Sequence, residues 1–481
     1  VSQSSFIHLE GGGPAVFGEL LERGGEVVWV DPRRTESATK WGEHLAIVPG
    51  TDAWLLLALL RLVTDRRPKT KAKIRGVDQA LEAAATVDLE EAGRRTGLGL
   101  PAIRDLARRI DASPATAFHM SVGVNQGGFG TLCYVLMQVL SFVTGNLDHR
   151  GGSVFNPTGP IIERIHRWAG IENRHRSRIG GFASLLGTLP GGVLADEILE
   201  PGDGKIRAML VFAGDPLRSI PGSGRLARAF EDLELLACVD MFRSRTARQA
   251  DVLLPCASWL ERWDLAVSTV PFQQAPLVQM SGPVAKPPGQ VRTDARILSD
   301  LAIELGLPGP WSLGRLPLDA WLPAPKFGWP APKVRPGRFL QRRRTIHLWR
   351  AELDLEVERL LAMPEREDGF TLLCRRRRLA HNSWLHGGTR SGAPEQVAWM
   401  RSDDMARVGV EPGAAARLRT NVGELTIVVQ AKDELPPRTV VVPHGLPELD
   451  VNALIPAGAE HVERLSGQLT MTGIPIQVSV P

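Results

Sequence analysis

Three kinds of apolar pattern succeed one another along the chain. Pro14 to Arg23 carries apolar positions at helical spacing, and Val27 to Val30 is a short apolar run that stops at Asp31-Pro32. A second strand-like run, Leu45 to Val48, stops at Pro49-Gly50-Thr51-Asp52. Helices are predicted at Ala53 to Val63 and at Leu100 to Ile110, the latter with Pro101 in its first turn. A strand ending at Met120 precedes the glycine-rich turn Ser121 to Gly128, and a helix from Thr131 to Thr144 is closed by Gly145-Asn146. Strands that alternate with helices predict a doubly wound parallel sheet.

Periodicity weakens between Gly151 and Gly204, which reads as loops and short helices able to cover a site. The alternation then resumes. Ala208 to Ala213 is a strand, Gly214-Asp215-Pro216 a turn, Arg225 to Leu233 a helix, and Leu235 to Val239 a strand ending at Asp240, with a further strand at Ala250 to Leu254. A strand–turn–helix–strand–Asp order thus occurs at 206–240 and, with its first strand cut short, at 1–31. Two related nucleotide-binding halves follow from that repetition. Residues 307–340 are rich in proline and tryptophan, as in a linker or wrapping segment. From about 366 the pattern becomes short strands (Thr371 to Cys374, Ala416 to Thr420, Leu425 to Gln430, Thr439 to Pro443) separated by glycine and proline turns, which predicts a β-barrel. The expected class is α/β: doubly wound parallel-sheet domains with two pseudo-related dinucleotide-binding halves plus a C-terminal barrel. The expected division is 1–195, 196–306, a linker or wrap at 307–365, and the barrel at 366–481.

With 481 residues and 43% hydrophobic content, the chain can build several cores. Its net charge of +4 is small, and its 57 basic residues are scattered apart from Arg342-Arg343-Arg344 and Arg375-Arg376-Arg377-Arg378. No nucleic-acid module accompanies them. The longest apolar stretch, Trp54 to Val63, is too short for a membrane span and contains Arg61. No signal peptide is evident and a cytoplasmic location is expected. Cys133, Cys238, Cys256 and Cys374 lie far apart, so no zinc ribbon or locally ligated iron–sulfur cluster is expected, and buried free thiols in a reducing compartment are.

Ligands of open α/β sheets gather beyond the carboxyl ends of the strands, where this chain places carboxylates and glycine turns. Asp31 and Asp52 are therefore either the lip of a nucleotide site or ordinary N-caps. Asp240 has the alternative of a simple turn carboxylate. Asn125 and Gln126 are either amides for a polar ring edge or turn formers. The arginine run at 375–378 reads as a solvated face, and Asn452, before an apolar helix start, as an N-cap.

Taken in order, several segments resemble the dimethyl sulfoxide reductase family of molybdopterin oxidoreductases. They are Asp31-Pro32-Arg33-Arg34-Thr35, Pro49-Gly50-Thr51-Asp52, Gly123-Val124-Asn125-Gln126, Thr144 to Gly152, Gly214-Asp215-Pro216-Leu217 and Thr246 to Pro255 with Glu261 following. Asn382 to His386, Asp403 to Gly409, Pro443-His444-Gly445 and Val451 to Leu454 continue the series. The style is closest to the formate dehydrogenase-like branch. The resemblance implies a bis-molybdopterin guanine dinucleotide cofactor with molybdenum or tungsten, held by two α/β domains and a barrel. It implies that Asp31 and Asp52 serve one guanine, and Asp215 and Asp240 the other. Gly12, Gly13, Gly50 and Gly214, with Thr51 beside them, would admit the pyrophosphates. Gln126, Arg375 or Arg376, Ser383 and Asn452 would contact pterin or phosphate.

Two departures stand out. The family's metal ligand and its iron–sulfur domain precede the first strand–Asp segment, so both are expected only in upstream sequence, and no catalytic residue or metal ligand is assigned here. Thr158, in Asn156-Pro157-Thr158-Gly159-Pro160, stands where formate dehydrogenases carry an arginine, which argues against formate oxidation. Arg243-Ser244-Arg245-Thr246 also replaces the frequent Asn-Glu-Thr. The resemblance implies a redox subunit, or a fragment of one, acting on a small-molecule substrate and passing electrons to an iron–sulfur partner. A non-catalytic scaffold subunit of an electron-transfer complex is the alternative. Substrate, electron acceptor and oligomeric state are not written in these residues.

Overall fold

The computed structural model describes residues 13–156, 164, 167, 175–266, 277–316, 329–330, 333–365, 369–376, 396–446 and 449–481. Its first unit is mainly helical. Helices Asp52–Leu62, Val77–Ala85, Leu89–Thr96, Leu100–Ala112 and Gly130–Val143 close around Leu57, Leu60, Leu132, Leu136 and Leu140, all essentially solvent-free. Local chemistry sets their ends. Asp88 accepts the Glu91 amide at 2.8 Å and Gly97 closes the same helix in the left-handed region at φ +72°. The helix Gly13–Glu22 lies beside a two-stranded parallel sheet, Val28–Val30 with Glu43–Leu45, and Phe17 packs its ring edge to Trp29 at 5.1 Å.

Part of the segment expected to be a linker or wrap joins this unit. Strand Thr345–His347 pairs in parallel with Lys73–Arg75, and helix Ala351–Leu361 buries Leu353, Val357 and Leu360 in the same core. Asp148 anchors the approach to that segment, accepting the Leu340 amide at 2.9 Å, while Phe155 stacks on Phe339 at 3.8 Å.

The second unit carries a parallel sheet ordered Ala208–Phe212, Leu235–Asp240, Val252–Pro255. Helices Leu194–Leu199 and Ser223–Glu231 pack on it, with Ile198, Leu226 and Phe230 in one core with Leu236 of the sheet. The third unit is a closed six-stranded barrel: Phe370–Arg375, Thr439–Pro443, Val397–Met400, Glu424–Ala431, Ala415–Arg419 and Ile474–Ser479, the last pairing back to the first. Alternate residues such as Ala416, Leu418, Ile427 and Val429 point inward, as period-two patterning requires.

Three expectations need correction. The second strand is Glu43–Leu45 rather than Leu45 to Val48, because pairing with Val28–Val30 selects the residues opposite it and leaves Ile47 to pack as core in a loop. Thr116–Met120 forms no ladder, so its extended backbone is not a strand. The turn at 121–128 contains a short helix, Val122–Asn125. The barrel strands Val397–Met400 and Ile474–Ser479 were not anticipated.

Candidate functional site

Each α/β half places one aspartate just beyond or at the end of a parallel strand. Asp31 follows Val30, and its Oδ1 accepts the Arg33 amide at 2.8 Å while its carbonyl accepts His44 Nε2 at 2.8 Å. Asp240 is the last residue of its strand, 9% exposed, and its Oδ1 accepts the Phe242 amide at 2.9 Å. Both carboxylates therefore make the same Asx-type turn over the residue two positions ahead.

Each has an acidic companion. Asp52 opens the helix Asp52–Leu62, with Thr51 as N-cap; the Thr51 hydroxyl donates to the Val48 carbonyl at 2.7 Å rather than capping. Burial pushes the Asp52 carboxyl up to about 6, with the nearby Asp31 charge a smaller contribution in the same direction. Burial likewise raises Asp240, with Asp215 adding to the effect. Asp215 is 4% exposed and its oxygens are already engaged. Oδ1 accepts the Thr246 amide at 3.0 Å and its hydroxyl at 2.7 Å, and Oδ2 accepts the Arg245 amide at 3.3 Å. Its carboxylate thus joins the two loops that follow the strands.

Glycines bring three loops together. Gly50 has φ +79°, a conformation that favours glycine, and a Cβ there would sit 3.8 Å from Gly127 O, Gly473 Cα and Thr472 O. Gln126 ties the same place to the barrel: its carbonyl accepts the Met471 and Thr472 amides at 2.9 and 3.1 Å, and Nε2 lies 3.3 Å from Met471 Sδ. Glu463 of the barrel reaches the start of helix Gly130–Val143, accepting the Thr131 amide and hydroxyl at 2.8 Å each. Gly214 is less constrained, since a Cβ there would meet nothing closer than Phe212 O at 3.7 Å.

Arg375 is 6% exposed with its guanidinium 3.7 Å from the Trp399 ring, while Arg376 is exposed. Burial, and then the charge of Arg376, hold His444 down at about 4, so this ring is neutral at pH 7. Asn452 is 4% exposed, and its Nδ2 donates to the Arg218 carbonyl of the second unit at 2.7 Å. Gly13 starts the first described helix. Gly12 and Ser383 lie outside the described residues, as does Thr158.

All four cysteines are free, and burial pushes every thiol up, Cys238 to about 11 and Cys374 to about 12. They are poor thiolates and poor metal ligands. Among the described residues no group of three His, Cys, Asp or Glu is placed to hold a metal ion, and no helix is long and apolar enough to cross a membrane. A surface cavity of about 540 Å³, lined by Arg75, Gln79, His347, Trp349, Arg350 and neighbours, contains none of the expected site residues. Sequence reasoning missed Arg245, Thr246, Asp450 and Glu463. The contacts that tie them to Leu217, Asp215 and Thr131, and Arg245 to Asp450, span 28 to 332 residues, so no local spacing signals them.

Comparison with known families places residues 16–304 on the molybdopterin oxidoreductase model and residues 370–468 on the molybdopterin dinucleotide binding domain. The assimilatory nitrate reductase catalytic subunit of Bacillus subtilis (strain 168) is 26% identical over 309 residues, covering 60% of this chain and 43% of that protein. Formate dehydrogenase H of Escherichia coli (strain K12) is 25% identical over 305 residues, covering 59% and 42%. The match thus spans less than half the length of these relatives. Among solved structures, acetylene hydratase from Pelobacter acetylenicus superposes with a TM-score of 0.73 at 17% identity, covering 98% of this chain and 76% of that one. That likeness establishes the shared fold.

Proposed function

Because this chain belongs to the molybdopterin oxidoreductase family, we propose that it is the dinucleotide-binding part of a molybdenum-dependent redox subunit. The observation that carries the proposal is the repeated strand-end carboxylate, with Asp31 and Asp240 in the same Asx turn on two separate parallel sheets. A guanine edge presents N–H donors, and a carboxylate with one oxygen fixed by its own backbone can offer the other, as at Asp31, whereas Asp240 also takes hydrogen bonds from the Met241 amide and the Ser244 side chain. Among the described residues no hydrogen bond reaches Asp31 Oδ2.

The residues fit the cofactor in two further ways. The Gly50, Gly127 and Gly473 loops meet without intervening side chains, so backbone N–H groups can approach a pyrophosphate closely. Gly214 has room for a Cβ in the chain's own packing, which leaves approach of a ligand as a reason for glycine there. We assign Asp31 and Asp52 to one dinucleotide and Asp240 to the other, with Asp215 shaping the second pocket. Gly13, Gln126, Arg375 or Arg376 and Asn452 are assigned to the remainder, and the same assignment extends to Gly12 and Ser383, outside the described residues. When bound, the molybdenum group supplies two-electron chemistry, and the chain supplies binding, orientation and electrostatics. A small-molecule substrate, an iron–sulfur electron partner and a cytoplasmic location complete the reading, with molybdenum or tungsten as the metal.

Metal analysis and oxidative release of the pterin test it. Purified protein made in a host that synthesises the guanine dinucleotide should carry molybdenum and a fluorescent pterin in stoichiometric amounts. Absence of both would return the chain to a scaffold role in an electron-transfer complex.

A further inference from the structure

The loops that follow the second pair of strands are held from outside their own unit. Asp450, on the barrel side, accepts Arg245 Nη1 at 2.6 Å and the Ser223 hydroxyl at 2.8 Å. The same Arg245 Nη1 lies 3.3 Å from the Leu217 carbonyl, and the Arg245 amide reaches Asp215 at 3.3 Å. Thr246, fully buried, receives the Leu217 amide at 3.2 Å on the hydroxyl that donates to Asp215. Two residues beyond Asp450, Asn452 binds the Arg218 carbonyl through its side chain, and the Gly222 amide lies 3.0 Å from both the Asn452 and Ile455 carbonyls. Gly222, at φ +68°, cannot be replaced without moving Ala457, whose Cβ would be 2.9 Å from the new side chain. One arginine therefore ties together the loop after Phe212, the loop after Asp240 and the barrel.

We propose that Arg245 is a positioning residue whose ion pair with Asp450 couples docking of the barrel to retention of the second dinucleotide. This rests on the placement of a guanine at Asp240. The physical reason is geometric. Ligands of parallel sheets lie between the loops at the strands' carboxyl ends, and here those loops, joined to each other through Asp215 and Thr246, are also held by a contact the barrel supplies. Arg245 and Asp450 side chains are 37% and 31% exposed, so their attraction is open to salt screening, unlike the buried Asp215–Thr246 bonds.

The test is a charge swap in the protein purified with its cofactor. Arg245→Asp, Asp450→Arg and the double variant are compared with the unaltered chain. Two readouts are taken: guanine nucleotide remaining after gel filtration at low and high salt, and amide hydrogen exchange across 213–223 and 241–249 in cofactor-free protein. Each single variant is expected to lose several-fold more guanine and to exchange faster at both loops. The double variant should recover most of both losses, which independent effects of the two substitutions would not produce. Ser223→Ala provides a milder perturbation of the same carboxylate, should the reversals fail to fold, and should shift both readouts in the same direction. Single variants that keep guanine like the unaltered chain overturn the coupling, as does a double variant no better than the singles. Unaltered protein that carries no guanine overturns the cofactor reading itself, which separates the two failures.

Discussion

Asp31 and Asp240 each end a parallel strand and each accept the amide two residues ahead, at 2.8 and 2.9 Å. Their acidic companions differ. Asp215 is engaged by Thr246 and Arg245, whereas Asp52 lies at a helix start with its carboxyl raised to about 6 by burial. In one half the second carboxylate builds the loop, and in the other it remains available to titrate. The difference teaches that a repeated sequence order need not repeat a role: the strand-end acid is shared, while its companion takes whatever the neighbouring loop demands.

The largest effect that would break this comparison concerns the shared acids. Asp31→Ala and Asp240→Ala should each weaken retention of one dinucleotide by about tenfold or more, since a hydrogen bond to a charged acceptor contributes about 1.5–3 kcal/mol. Guanine released from gel-filtered variants measures it. Full retention in Asp240→Ala would remove the symmetry on which the account stands.

Next comes stability. Asp215→Ala strands the buried Thr246 amide and hydroxyl, so the cofactor-free protein should lose about 1–3 kcal/mol in urea unfolding, compared with under about 1 for Asp31→Ala at its partly exposed turn. Equal losses in the two variants would show that Asp215 is not the loop's structural staple.

A third effect is in pH dependence. The Asp52 pKa is about 6 when folded and about 3.8 when unfolded, so the folded state holds more proton between those values. Stability contributed by this group is present below about 3.8 and is lost as pH rises through about 6. Asp52→Asn should flatten that fall in the cofactor-free protein. Binding of guanine to the charged form should strengthen across the same interval. Identical pH profiles for Asp52→Asn and the unaltered chain would place Asp52 outside both effects.

Where periodicity and caps coincide, the sequence is a sound guide. The helix Leu100–Ala112 and the strand Thr439–Pro443 lie where their patterns place them, and the second half reproduces its expected order from Ala208 to Asp240. Short strands are harder, because three residues carry too little pattern. Leu45 to Val48 is more apolar than Glu43–Leu45, yet pairing with Val28–Val30 decides which residues form the ladder. Thr116–Met120 has strand-like composition and no partner strand. In the candidate site, the strand-end position of the acids is legible from an apolar run followed by Asp, but the same pattern suits a cap or turn carboxylate, and both acids accept the amide two residues ahead. The contacts of Arg245 with Asp450 and of Glu463 with Thr131 are not, since only the folded barrel brings those residues together.

A structure of the chain loaded with its cofactor tests the central claim most directly. The account predicts one guanine hydrogen-bonded to the Asp31 carboxylate and a second to that of Asp240, on opposite α/β halves. Guanines bound away from both strand ends, for instance in the cavity beside Arg75 and His347, would contradict it.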